Sequence, residues 1–372
     1  GPAPAAPPKS LEERVSALEQ APGLGFLRGL TLGAGLATSF TANLNTPVSR
    51  VNRLRSFDPE ADSVELDLLQ LSAERPAEPV GFRVDLDFGK TAEILSAATL
   101  GPLDDTAGAL DADPVEVQQG YLALAPARLS GLTLKVGKFN TLAGIEVVEP
   151  WNNFTFSRGI VFGLQPVTHT GVRATYAPGG PLSASLGVVN GWDSFSDNNR
   201  GKTLEAQLAF APSGALSVAL TGYYGAELDG RAGPKRTIGD LAVTLKPTAA
   251  LTATLNYDAG YDEELGGVAN AFWHGVSVTV HYDVTGRLGL TVRSEVAHDE
   301  RGVKIVGFVP AGRSVTLASA TATVAYKVAG PAELRLEYRH DESNRDGGFD
   351  GDAGTQTESS QDTIAAALLV RF

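Results

Sequence analysis

Cysteine and methionine are both missing from the 372 residues of this chain. Without cysteine there can be no disulfide framework, no thiolate metal site and no covalently attached haem, which suits a chain that crosses an oxidising compartment. Without methionine there is no initiator, so a processed form is expected. No basic, apolar signal segment precedes Gly1, and Gly1-Pro2 matches a protease scar. Clusters of Lys and Arg are scarce as well. The net charge of −13 argues against nucleic acid as a partner, because phosphate binding needs concentrated positive charge. Long apolar runs are also missing. None reaches the roughly 18 residues of a membrane helix, and the nearest, 26–40, is interrupted by Arg28, Gly29, Gly33 and Gly35. A helical membrane protein is excluded. A protein that crosses with strands is not, since its residues alternate between lipid and water.

Alternation is what the chain has in quantity. In 131–178, Leu132, Leu134 and Val136 oppose Thr133, Lys135 and Gly137; after a long Trp/Asn/Phe-rich insertion, Val172, Ala174 and Tyr176 oppose Gly171, Arg173 and Thr175. Two strands, each with one apolar and one wet face, are joined by a long loop. A soluble β-sandwich hairpin alternates in the same way, so the whole chain must decide. The pattern repeats as about sixteen strands, at 26–44, 63–73, 79–88, 115–125, 131–140, 167–177, 181–191, 202–211, 214–226, 236–247, 249–260, 271–283, 286–299, 314–328, 331–341 and 361–372. Gly120 is expected to mark a bulge.

The connections sort by parity. Every second one is tight and built from Pro or Gly (126–131, 178–181, 212–214, 247–249, 284–286, 329–331). The others are long and polar (45–62, 89–114, 141–166, 192–201, 227–235, 261–270, 300–313, 342–360). Short turns at one rim and long loops at the other define an all-β fold, a transmembrane antiparallel β-barrel; a Greek-key sandwich has no reason to keep that parity. With their flanking charges, the long loops carry the entire −13. They are expected to face outside, where carboxylates share divalent cations with lipopolysaccharide. Aromatic residues fall into two belts. Phe40, Phe88, Trp192, Tyr224, Tyr257, Phe272 and Tyr338 lie at the long-loop ends; Tyr176, Phe210, Tyr282, Tyr326 and Phe372 lie at the short-turn ends.

Ahead of the barrel (26–372), residues 1–25 form a Pro/Ala-rich tether and a short N-terminal α-helix. Ser10 and Glu13 make a capping box, and Leu11, Val15 and Leu18 follow a coiled-coil seam. A helix shorter than the roughly 12–15 residues that are marginal in water needs a partner. It either self-associates beneath an oligomer or docks on the barrel.

At 137–176 the chain resembles the OmpL-like family of β-barrel porins, the beta-barrel porin-2 group. The match runs through Gly137-Lys138-Phe139, Gly144 with Glu146, Pro150 with Asn152, Ser157-Arg158, Thr168-His169-Thr170-Gly171 and Arg173; the ending AALLVRF, with Phe372, resembles the assembly signal of outer-membrane barrels. The resemblance implies an outer-membrane location and a pore role, and it supplies no catalytic residues and no cofactor.

With apolar positions facing lipid, the lumen is expected to receive Arg83, Asp85, Asp87, Lys135, Arg173, Glu205, Arg293, Glu295, Glu333, Arg335, Glu337 and Arg339. Such mixed charge either orders passing solutes or pairs to stabilise the wall. A barrel of about sixteen strands holds a water channel. The insertion 141–166 is low in charge and aromatic, unsuited to lying free in water. It is expected to fold inward as a constriction loop with Glu146, Glu149, Trp151, Asn152, Asn153 and Arg158 near the narrowest point, or else to pack as an external lid. Enzyme chemistry has little support, because the five histidines lie beside no nucleophile motif and G-x-S-x-G is missing. In 346–352, Asp346, Asp350 and Asp352 lack full calcium-loop spacing and read as a solvated acidic loop. The expected function is a bacterial outer-membrane porin for small hydrophilic solutes, both termini periplasmic. Its partners would be the lipid bilayer, lipopolysaccharide and two further copies in a homotrimer, with no metal. The alternative is a scaffold barrel that houses a partner protein.

Overall fold

The computed structural model describes residues 10, 13, 16, 17, 29–97 and 113–372. The chain runs through β1 (Thr31–Asn43), β2 (Val64–Arg75), β3 (Val80–Phe88), helix α1 (Lys90–Ser96), β4 (Val115–Leu124), β5 (Leu132–Asn140) and β6 (Thr168–Tyr176). It continues through β7 (Leu182–Val189), β8 (Thr203–Ser213), β9 (Leu216–Gly225), β10 (Arg236–Leu245), β11 (Leu251–Leu265) and β12 (Val268–Asp283). The last elements are β13 (Leu288–Asp299), β14 (Val315–Ala329), β15 (Ala332–Ser343), the hairpin β16 (Phe349–Gly351) and β17 (Gly354–Glu358), and β18 (Ser360–Arg371). Sixteen strands pair antiparallel in sequence order, and β18 closes on β1 through Gly35↔Arg371 to Asn43↔Thr363. The fold is the closed barrel that strand parity implied, and each expected strand falls on an observed one.

The two faces separate by alternation. On β15, Leu334, Leu336 and Tyr338 are 38–51% exposed, whereas Arg335, Glu337 and Arg339 are at most 4% exposed. This is inverse to a soluble fold: apolar rows face outward and charged rows inward, as lipid outside a polar lumen requires. Most of the expected belt residues lie on the outer surface, among them Phe40, Tyr224, Tyr176 and Tyr326. Trp192 does not. It is buried inside the long-loop mouth against Trp273.

Local departures have physical causes. The expected loop 261–270 is a hairpin, because β11 and β12 continue to a Gly266-Gly267 turn with both φ angles positive, the backbone that two-residue hairpins favour. The expected bulge at Gly120 falls two residues earlier. Register shifts between Asp85/Leu86, so Gln118 is the extra residue of β4, and its side chain reaches inward to Glu149. A second shift, between Ala37/Thr38, leaves Asp67 as the extra residue of β2. Helix α1, with Thr91, Ala92, Ile94 and Leu95 buried, starts within the second long connection.

The long loops do not all face outside. Residues 45–62 and 300–313 turn into the mouth, where Leu54, Ile305 and Phe308 join Ile160, Leu164, Trp192, Trp273 and Phe349 in one apolar cluster. Asp350 is not solvated either: it is buried and paired with Arg53 at 3.1 Å, pinning the first loop to the last. Near the N-terminus the Ser10 amide donates to Glu13 Oε2 at 2.9 Å and the Glu13 amide to Ser10 Oγ at 3.2 Å, the reciprocal capping box. Leu11, Val15 and Leu18 lie outside the described residues.

Leu336 sits mid-strand on the outer face. Leu336→Arg is expected to lower stability by about 2–4 kcal/mol, read as a shifted urea midpoint for refolding into lipid vesicles. A midpoint unchanged within error would place this face away from lipid.

Candidate functional site: the loop-filled lumen

The insertion 141–166 leaves the ladder at Asn140 and returns at Thr168. Between these points it runs inside the barrel. Its two short 3-10 turns, Pro150–Asn152 and Val161–Leu164, leave most of its amides and carbonyls without internal partners, and a buried backbone group must find one. The wall supplies them.

Glu337 accepts hydrogen bonds from the Phe156 and Ser157 amides at 2.7 and 3.0 Å and from Thr323 Oγ1 at 2.8 Å. Glu295 accepts from the Ile160 and Val161 amides at 3.1 and 3.2 Å. The carbonyls go to guanidinium groups. Arg335 donates to Pro150 and Thr155, both at 2.9 Å, and Arg293 donates to Ser157 O at 2.7 Å. Arg339 donates to Arg158 O at 2.7 Å and to Leu54 O at 3.3 Å, tying two loops together. Arg293 also meets Glu146 at 2.6 Å and Glu295 at 3.1 Å, and Arg339 meets Asp341 at 2.7 Å. Charged groups of both signs on β13 and β15 thus serve as a second ladder for a segment that has none of its own. Hydrogen bonds to ionised groups contribute about 1.5–3 kcal/mol each.

The loop also folds on itself. Arg158 donates to Val147, Val148 and Phe156 carbonyls, and Asn153 holds Val147 through both its amide and its carbonyl. Glu149 accepts from Gln118 at 2.9 Å and Gln70 at 3.4 Å on the opposite wall. Asn152 accepts from Arg371 at 3.0 Å. The Trp151 ring lies flat on Gly35, where a Cβ would sit 2.3 Å from it. Glycine is needed there for close approach.

All twelve residues expected to line the lumen lie on the inner face. Arg293, Glu295, Arg335, Glu337 and Arg339 are covered by the loop. Arg173 pairs with Glu205 at 2.7 Å and lies 4.1 Å over the Phe139 ring. Arg83 bridges Glu74 and Asp85, Asp87 accepts from Gln70 at 3.0 Å, Glu333 accepts from Arg335 at 2.7 Å and Lys135 lies over Tyr121.

The wall at β11 and β12 is different. There a gap of about 60 Å³ separates Asn152, Asn153, Phe154 and Thr155 from Thr254, Asn256, Ser277 and Thr279, room for several waters. Asn152, Asn153 and Phe154 also line a separate, wider space of about 260 Å³ bounded by His281, Asp283 and Lys327. On the mouth side of Asn256, Asp240 and Asp258 face each other in register. Asn256 donates to both, at 2.6 and 3.4 Å, yet each keeps one buried oxygen without a hydrogen-bond partner. Sequence reasoning passed over this pair, although both residues sit at inward parity on recognised strands.

Toward the mouth the route is shut by the apolar cluster and by Lys304. Asp299 accepts the amides of Arg301, Gly302, Lys304 and Ile305 at 2.7–2.9 Å, a turn that drives Lys304 inward. Burial, then the nearby Arg236 guanidinium, pulls the Lys304 ammonium down to about 8.

A wide closed barrel with alternating lipid and lumen faces and an inward loop is the architecture of an outer-membrane channel. The chain belongs to the OmpL-like beta-barrel porin-2 family, whose profile matches residues 29–372, and is a protein of the bacterial outer membrane. A search of curated proteins returned no match. Among solved structures, the outer membrane channel DcaP of Acinetobacter baumannii is similar, with a TM-score of 0.61 at 12% identity over 92% of this chain and 97% of that one. So are the anion-selective porin of Comamonas acidovorans (TM-score 0.60, 11% identity, 92% and 99% covered) and the trimer form of OmpT from Vibrio cholerae (0.61, 12%, 92% and 99%). At these identities the likeness is one of fold.

Glu337→Ala removes one ionised acceptor from two buried loop amides. Hydrogen exchange at 155–158 is expected to speed up by at least tenfold, about 1.4 kcal/mol or more, while β15 amides stay protected. Unchanged exchange would show that Glu337 does not hold the loop.

Proposed function

We propose that this barrel gives passive diffusion to small hydrophilic solutes and ions, with cations preferred, along a route beside β11 and β12. One observation carries the reading. The loop's ionic tethers concentrate on β13 and β15, whereas the adjoining strands β11 and β12 offer hydroxyls and amides of Thr254, Asn256, Ser277 and Thr279. Neutral polar groups can replace part of a solute's hydration without trapping it. The cation preference comes from Asp240 and Asp258, a facing pair of carboxyl groups on the inner face of β10 and β11. The inner-face arginines, by contrast, are engaged by loop carbonyls and carboxylates. Passage through the mouth requires 45–62 and 300–313 to shift.

The same geometry weighs against a barrel that houses a partner protein, because the chain's own loops occupy the lumen. It also weighs against an enzyme. His169 is packed on Tyr223 and His281 on Phe154, while His274 and His298 adjoin each other on the lipid side. The twelve charged residues named from the sequence act in this reading mainly by shaping and anchoring the pore. The barrel's first and last strands, β1 and β18, begin and end at the short-turn rim, which this reading places on the periplasmic side. Copies of the barrel assemble as a trimer, a reading that the trimer form of Vibrio OmpT supports. Carboxylates of the outer loops meet lipopolysaccharide through divalent cations.

Planar-bilayer recording tests the proposal. Deleting 145–160 is expected to raise single-channel conductance severalfold. In a potassium chloride gradient the full-length protein is expected to reverse on the cation side, and Asp240→Asn with Asp258→Asn to move the reversal potential toward zero. Unchanged conductance on deletion, or a reversal potential on the anion side, would overturn it.

A further inference from the structure

Lys304 is a buried cation surrounded by aromatic rings. Its ammonium lies 4.9 Å from the ring centre of Trp192 and 5.2 Å from that of Trp273. The two indoles meet nearly at right angles, at 86° and 6.3 Å between centres. Two aromatic faces around one ammonium form an open cage of the kind that binds organic cations. Three separate segments build it: Trp192 opens the loop after β7, Trp273 points inward from β12, and Lys304 descends from the loop after β13.

The cage is held independently of the lysine. Trp273 donates its Nε1–H to Asp262 at 2.9 Å, and Asp262 is fixed from its other side by Arg236 at 2.6 Å. The Trp273 ring occupies the space over Gly260, where a Cβ would lie 2.0 Å from it. The Trp192 amide donates to Glu227 at 2.8 Å, and the Arg236 guanidinium covers its ring at 4.7 Å. Asp262 sits beside the indoles, and Asp258 follows four residues back on the inner face of β11. An arriving cation therefore meets aromatic faces first and carboxylates beneath. The lysine, by contrast, hangs from a loop organised by a single carboxylate, that of Asp299.

We propose that Trp192 and Trp273, with Asp262, form a binding site for primary organic cations, alkylammonium ends such as those of diamines, and that Lys304 is a resident stand-in for that ligand. When the loop 300–313 lies inward, its own ammonium fills the site and closes the mouth. A diamine end competes for the cage, lets the loop rise and takes a position above Asp258 and Asp240. The inference goes beyond the diffusion reading and does not need it, since binding can be measured without any conductance.

The test uses the full chain in detergent micelles, with Trp151→Phe so that emission reports only the two cage indoles. Cadaverine is the probe and pentane-1,5-diol the uncharged control. Cadaverine is expected to change emission saturably, and the diol not to. Lys304→Ala removes the internal competitor and is expected to tighten cadaverine binding by about tenfold or more. Trp192→Leu is expected to abolish the response of Trp273. Should Lys304→Ala fail to fold, Lys304→Met keeps the packing stem without the charge, and the same direction is expected. An equal response to the diol, no saturable response in the Lys304 variant, or no tightening on losing the lysine would each overturn the proposal.

Discussion

A loop with almost no secondary structure lies in a barrel lumen, and its backbone needs acceptors and donors that water would otherwise provide. Everything distinctive about this interior follows from how that need is met. Carboxylates of Glu295 and Glu337 take the amides, and guanidinium groups of Arg293, Arg335 and Arg339 take the carbonyls. Arg293 pairs in turn with Glu146 and Glu295, Arg335 with Glu333 and Arg339 with Asp341, so these ions are buried without the cost of isolation. Next to these tethers, where Ser277 and Thr279 of β12 pair across the ladder with Glu295 and Arg293, a small gap remains between loop and wall.

The same economy explains the mouth. Residues 45–62 carry Arg53 and Arg55 into the interior, where they meet Asp350, Asp341 and Asp58. Between these ionic pins the apolar side chains of five long loops close over one another. Loops at a rim are ordinarily the freest part of a barrel; here several are tied by buried charge, and the segment that carries Lys304 is held by Asp299 and by the packing of Ile305 and Phe308.

The wall was legible in the sequence because lipid and water impose a strict period of two, and a barrel rim imposes parity on its turns. Leu334 to Arg339 could be assigned to faces by counting. The inward course of 141–166 was legible for a different reason: Trp151, Phe154, Phe156 and Phe162 cannot remain in water. That same signal was present and unused in Val303, Ile305, Val306 and Phe308, overshadowed by the charges at 299–301 and 313. Residues 45–62 gave no such warning, since Asn52, Arg53, Arg55 and Asp58 look like a solvated loop until their partners on β15 and in the last loop are in place. Which member of a charged row binds the loop and which faces the gap depends on three-dimensional register, and no periodicity encodes it.

The central claim is that the loop covers the lumen along β13 and β15 and leaves a gap beside β11 and β12. A chain without cysteine allows a clean accessibility measurement. Thr279→Cys, beside the gap, and Thr321→Cys, beneath the Arg293 tether, would each be exposed to a small charged methanethiosulfonate while conductance is recorded. The account expects rapid modification and block at 279 and protection at 321. Equal rates at both positions, or faster reaction at 321, would contradict it.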